Sequence, residues 1–319
     1  IAGVVAITVQ YRRAIAPRLA SLALHYAVAL VLLATGALLG FLIAWSNAHG
    51  RSALADGFYL AHTTTMLLGF VGTTVLGTLT VLWPTMLRTP MEPVAPRWTT
   101  RGLPYLVGGT ALVAACGLWP PLAGLGTLVY LGGACAVLVP AYRTARRVPP
   151  TSFATASATA SVAWFVGCVA VLGARMALAD DAAAAREVIH SLRLPLAAGF
   201  ALQVLVAALS YLTPVMLGGG PTATRATNAI MDRFAAYRVT AANACLLLAL
   251  YPGAPWQVRV VAGALAALVT SYLLAGMILS LREVSQRKRP PRTPRTPADA
   301  DPTSDPAGHR PAQPRRGTR

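Results

Sequence analysis

The sequence predicts an all-α polytopic membrane protein of about eight transmembrane helices, and three observations lead there. Hydrophobic residues make up 55% of the 319 residues and charged ones 12%, where a soluble domain carries about 25% charge. Apolar runs close to the ~20 residues needed to cross a bilayer recur along the chain. The connections between those runs alternate in basic charge. The same composition excludes a water-soluble fold and, for most of the chain, disorder.

The spans are expected as helix A at about 20–45, B at 57–86, C at 103–119, D at 122–141, E at 153–174, F at 191–217, G at 235–252 and H at 257–281. Trp119-Pro120-Pro121 separates C from D, because proline cannot continue a helix. The chain starts at Ile1, so a preceding N-terminal piece is expected. The apolar stretch 1–9 reads as the end of a truncated helix, too short to span and unlike a signal peptide. The domain organisation is then a remnant and loop at 1–19, a transmembrane domain at 20–281 and a tail at 282–319. That tail is rich in Pro and Arg and nearly free of apolar residues, the composition of a disordered segment.

The formal net charge is +17, from 26 Arg and 1 Lys against 10 acids. A basic chain invites a nucleic-acid reading, but the charge is not spread at random. One set of connections holds twelve arginines: Arg12, Arg13, Arg18, Arg88, Arg97, Arg101, Arg143, Arg146, Arg147, Arg225, Arg233 and Arg238. The opposite set holds five: Arg51, Arg175, Arg186, Arg193 and Arg259. Basic loops stay on the cytoplasmic side, so the first set and the C-terminal tail are expected there, in an inner-membrane protein. The tail carries a net +6, the cytoplasmic loops +10 and the outer loops +1. The implied partners are the bilayer and its anionic headgroups, with no nucleic acid.

Helices B and F read as an internal repeat. GFVGTTVLGTLTVLWPTML from Gly69 and GFALQVLVAALSYLTPVML from Gly199 share seven identities in nineteen without a gap. Pro84 and Pro214 each fall fifteen residues after their glycine. This predicts two parallel four-helix units, at about 20–141 and 153–281, related by an axis along the membrane normal.

Each repeat helix carries a histidine near its expected outer end. His62 lies seven residues before Gly69 and His190 nine before Gly199. Histidine is costly inside a span, usually has a partner there, and is the commonest metal ligand. Two histidines on facing helices suit axial haem ligation or a copper ion. Met66, one turn after His62, could add a soft sulfur, and Arg193 a charge-assisted bond to a haem propionate. Pro195 is expected in the first turn of F, with His190 just ahead of it on a short surface helix. His49 could be a third ligand, or simply solvated, and His25 lies toward the other end of helix A.

Other residues read as packing. Cys116, Cys135, Cys168 and Cys245 sit in apolar runs without metal or disulfide spacing. Gly69, Thr73 and Gly77 form a small-residue face for a neighbouring helix. Gln203 and Asn243 are mid-span amides expected to bridge helices. No span contains a carboxylate, which argues against an acidic proton relay. No phosphate loop, nucleophile elbow or zinc-protease pattern is present, and no residue is assigned a catalytic role.

The segments LAHTTTMLLGFVGTTVLGTLTVLWPTMLRTPM and HSLRLPLAAGFALQVLVAALSYLTPVMLGGGP resemble the membrane domain of actinobacterial multicopper oxidase-like ("copper oxidase") proteins. That domain is similar to the NnrS family of haem- and copper-containing membrane proteins and, more distantly, to subunit I of haem-copper oxidases. The likeness covers roughly residues 20–280. It implies haem or copper near the outer surface, electron transfer to a redox partner, and handling of nitric oxide or copper. The family's second histidine in helix B is replaced here by Thr64, and no cupredoxin portion is present. Rival expectations are a cofactor-free membrane scaffold or sensor, and a small-solute transporter.

Overall fold

The computed structural model describes residues 17–287, and every regular element within them is helical. The stretch 1–9 and the tail beyond residue 287 lie outside the described residues. In order, the helices are α1 Pro17–Ala48, α2 Ser52–Thr64, α3 Thr73–Met86, α4 Ala95–Ala114, α5 Pro121–Arg147 and α6 Phe153–Ala177. They continue with α7 Ala182–Leu194, α8 Gln203–Leu217, α9 Gly220–Met231, α10 Ala235–Leu250 and α11 Trp256–Arg287.

Six helices are long and apolar enough to cross a membrane: Leu22–Ala48, Ser52–Met86, Pro121–Arg147, Phe153–Ala177, Ala182–Leu217 and Trp256–Arg287. They coincide with expected helices A, B, D, E, F and H. The outer faces of α1 and α11 are apolar and exposed, with Phe41 64% and Leu268 67% accessible. That arrangement suits lipid and would be a liability in water.

Expected helices C and G exist but differ from the six. α4 opens on APRWTTR, so its first turns carry Arg97 and Arg101. α10 has 16 residues, about 24 Å at 1.5 Å per residue, against a hydrocarbon core of ~30 Å. Each packs against the helix that follows it. In the α4–α5 hairpin the backbones nearly touch: a Cβ on Gly109 would stand 2.5 Å from the Tyr130 amide nitrogen, and one on Gly126 2.6 Å from that of Val113. Small residues permit this approach.

Helices B and F share an unusual construction. Each changes from α to π and back, over Thr65–Gly72 in the first and Pro195–Leu202 in the second. Both π segments begin four residues before the Gly of the shared Gly-Phe pair and end three after it. Pro84 and Pro214 then occupy equivalent places inside α3 and α8. Helix F differs from expectation at its start. Pro195 does not open the helix; it lies inside a continuous 36-residue helix at the α-to-π junction. A π turn already shifts the hydrogen-bond ladder by one residue, so a missing N–H costs least there. His190 therefore lies within the long helix rather than on a separate surface helix.

The core forms where the two halves meet. Tyr130 of α5, Phe165 of α6 and Phe200 of the second π segment are all buried, with ring centroids 6.2 Å and 4.5 Å apart in that order. Leu76, Trp83, Leu106 and Val113 pack around them. The packing face expected on helix B is filled by α1: Leu32 abuts Gly69, and the buried His25 sits against Gly77. Two further differences are small. Cys135 is exposed on α5 instead of buried. The first residues of the expected tail continue α11, where Arg287 pairs with Glu283 one turn back at 2.8 Å.

Candidate functional site

His62 stands in the last turn of α2 and is directed at α1. Its Nδ1 lies 2.8 Å from the carbonyl oxygen of Gly36. A carbonyl only accepts, so Nδ1 carries the hydrogen, and in the neutral ring the lone pair is on Nε2. The imidazole also rests on Gly40, where a Cβ would stand 3.3 Å from Cε1 and Nδ1. Met66, one turn on, covers Gly36 itself, its Sδ 2.5 Å from where a Cβ would be. The structure thus brings His62 and Met66 onto one face of α1. Gly36 and Gly40 were not singled out from the sequence, although glycines at four-residue spacing are a known close-packing signal in membrane helices.

Thr64 is 1% exposed and donates to the Leu60 carbonyl at 2.7 Å. Its hydroxyl is therefore committed to its own helix.

His190 has other neighbours. It packs edge-on against Tyr59, with centroids 5.8 Å apart, and its Nδ1 lies 3.7 Å from Glu187. Tyr59 also receives the Arg186 guanidinium over its ring at 4.3 Å, and Arg186 bonds Asp56 at 2.7 Å. This cluster ties α7 to α2. These neighbours of His190 differ from Gly36 and Gly40, against which His62 rests. Arg193 is exposed and donates from Nε to the His190 carbonyl at 3.3 Å.

The remaining candidates at this end of the bundle are engaged locally. His49 bonds the Trp45 carbonyl at 2.8 Å, and Arg51 lies over the Trp45 ring at 5.2 Å. Arg175 donates to Ser191 at 3.0 Å. The two mid-span amides do bridge helices. Gln203 Nε2 donates to Asn243 Oδ1 at 2.9 Å, and Trp164 Nε1 donates to the same oxygen at 2.7 Å.

At the opposite end, Arg238 was counted from sequence as a loop charge, yet it is 4% exposed. Its guanidinium is stacked between Phe153 at 3.6 Å and Tyr272 at 4.1 Å and donates to the Met231 carbonyl at 2.9 Å. Beside it, Asp232 accepts the Phe153 N–H at 2.8 Å, at the start of α6. Burial pushes the Asp232 carboxyl above the ordinary aspartate range, while that N–H, Arg88 and Arg238 pull it back down.

Comparisons with family models, with curated proteins and with solved structures each return no match.

Proposed function

We propose that this chain is an inner-membrane protein of eight transmembrane helices, built as two parallel four-helix units, that binds haem or copper through His62. The observation that carries the metal reading is the His62–Gly36 hydrogen bond. Metal-binding histidines characteristically donate their other ring N–H to a carbonyl or carboxylate, which fixes the ring and its tautomer. Here that bond leaves Nε2 as the donor atom. Met66, on the same face of α1, adds a thioether suited to copper or haem iron. His190 would be a second ligand and Arg193 a propionate contact.

The group, when bound, would supply one-electron chemistry or a coordination position for nitric oxide. The chain's own contribution is narrower. Gly36 orients the imidazole, Gly40 leaves room for it, and the surrounding apolar helices exclude water. The repeat reading rests on the two π segments at equivalent places in helices B and F. The cytoplasmic placement of the Arg88 end and of the C-terminus rests on the excess of arginine at that end.

The test is the absorption spectrum and copper content of the purified chain after expression with haem precursor and copper. A Soret band or stoichiometric copper is expected, lost in His62→Ala and kept in His49→Ala. Absence of both from the unmutated chain overturns the reading. A cofactor-free scaffold or sensor is the second reading, favoured by the commitment of Thr64 to Leu60. It expects no metal and a His62→Ala chain that differs only in stability.

A further inference from the structure

A cavity of about 290 Å³ lies at the Arg88 end, where the end of α3, the α5–α6 connection, α8 and α9 converge. It sits at the far end of the bundle from His62 and shares no residue with that site. Its wall includes Arg88, Thr151, Ser210, Tyr211, Asn228 and Asp232.

Two features of the wall point to a polar ligand. Ser210 is 3% exposed, and its Oγ has no hydrogen-bond partner among the described residues. Other hydroxyls in these helices bond their own backbone, as Thr213 does to Leu209 at 2.7 Å and Thr227 to Ala223 at 3.0 Å. A buried hydroxyl left unsatisfied is costly. The second feature is charge. Asp232 accepts the Phe153 N–H at 2.8 Å and feels the charges of Arg88 and Arg238, neither of which pairs with it closely. The Arg88 side chain is exposed at the mouth of the cavity; its guanidinium acts on Asp232 through its charge and makes no hydrogen bond or close ion pair with a described residue.

The cavity therefore presents one guanidinium whose hydrogen-bond donors are not taken up by a described residue, hydroxyls on Ser210 and Tyr211, and the amide of Asn228. We propose that it binds a phosphate group, carried either by a phospholipid headgroup or by a small soluble phosphate. A guanidinium fork matches phosphate oxygens two at a time. Further donors on α8 and α9, from Ser210, Tyr211 and Asn228, can meet additional oxygens of the same group.

The experiment titrates inorganic phosphate into the delipidated full chain in detergent by calorimetry. It then asks whether phosphatidylglycerol, but not diacylglycerol, competes. Arg88→Gln should weaken binding about ten-fold or more and Ser210→Ala several-fold, while Arg146→Gln, outside the cavity, should change it by less than about two-fold. Tyr211→Phe serves if either cavity variant fails to fold. Competition by phosphatidylglycerol identifies the headgroup as the source, and its failure to compete identifies a soluble phosphate. No binding of either probe, or binding indifferent to the cavity variants, overturns the proposal. Neither result bears on metal at His62.

Discussion

The Tyr130 hydroxyl donates to the Leu68 carbonyl oxygen at 3.0 Å, from α5 into the middle of the first π segment. Tyr130 is fully buried, and its ring end occupies the space left by Gly72, against Phe165. A π turn widens the helix and disturbs its hydrogen-bond ladder, and here a side chain from another helix reaches in to one of its carbonyls. Tyr130→Phe should therefore cost about 0.5–2 kcal/mol. Gly72→Ala should cost more, because its methyl group has no space beside Tyr130 and Phe165. Thermal unfolding in detergent checks both, and an unchanged midpoint for Gly72→Ala would contradict this packing.

The second π segment is buttressed differently. Gly199 lies against the Trp164 indole, where a Cβ would stand 2.5 Å from the ring. Trp164 and Gln203 both donate to Asn243. Asn243→Leu orphans two donors, one on the buried Gln203 and one on the half-buried Trp164, and should destabilise by about 1–3 kcal/mol. Gln203→Leu removes one donor and one acceptor of the same network. The double variant should cost less than the two single losses added together, because the amides no longer strand each other. Strict additivity in a double-mutant cycle would show that the amides are not coupled.

These two cases also show what the sequence could carry. Gly-Phe and the later proline, at one spacing in both helices, marked B and F as alike in construction, and Gln203 and Asn243 read as bridging amides from their mid-span position alone. The π turns themselves were not legible, because apolar periodicity does not distinguish a ladder shifted by one residue. Pro195 was misplaced for that reason. Arg238 was misread because counting loop charges treats every arginine as solvated, whereas only tertiary packing puts Phe153 and Tyr272 on its two faces. At the metal candidate, His62 and Met66 were legible as residue types. What the sequence could not supply was the partner, Gly36, on another helix.

Asp232 should give a measurable pH dependence. Its folded-state pKa is raised, chiefly by burial, so the folded chain binds this proton more readily than the unfolded chain. Its contribution to stability is then most favourable at low pH and declines as pH rises from about 4, the ordinary aspartate value, through the raised folded-state value. Asp232→Asn keeps an acceptor for the Phe153 N–H and removes the titration. The difference in unfolding midpoint between the unmutated chain and Asp232→Asn should therefore shift toward the unmutated chain on acidification. A difference that is flat with pH, or that shifts the other way, would count against a buried Asp232.

Arg238 and Asp232 are bound by one argument. The arginine's plane is fixed by rings at 3.6 Å and 4.1 Å, and its Nη1 holds the Met231 carbonyl at the end of α9. Lysine cannot stack in that slot and donate along the same fork, so Arg238→Lys should cost about 1–3 kcal/mol. Arg238→Met fills the slot but loses the bond to the Met231 carbonyl and one of the two cations whose charge acts on Asp232, and should cost about 1–3 kcal/mol. Adding Asp232→Asn to Arg238→Met removes the charge that Arg238 helped to offset and should recover part of that loss. If the double variant instead melts lower than Arg238→Met alone, Arg238 acts through its stacking and its bond to Met231, and the carboxylate is not its partner.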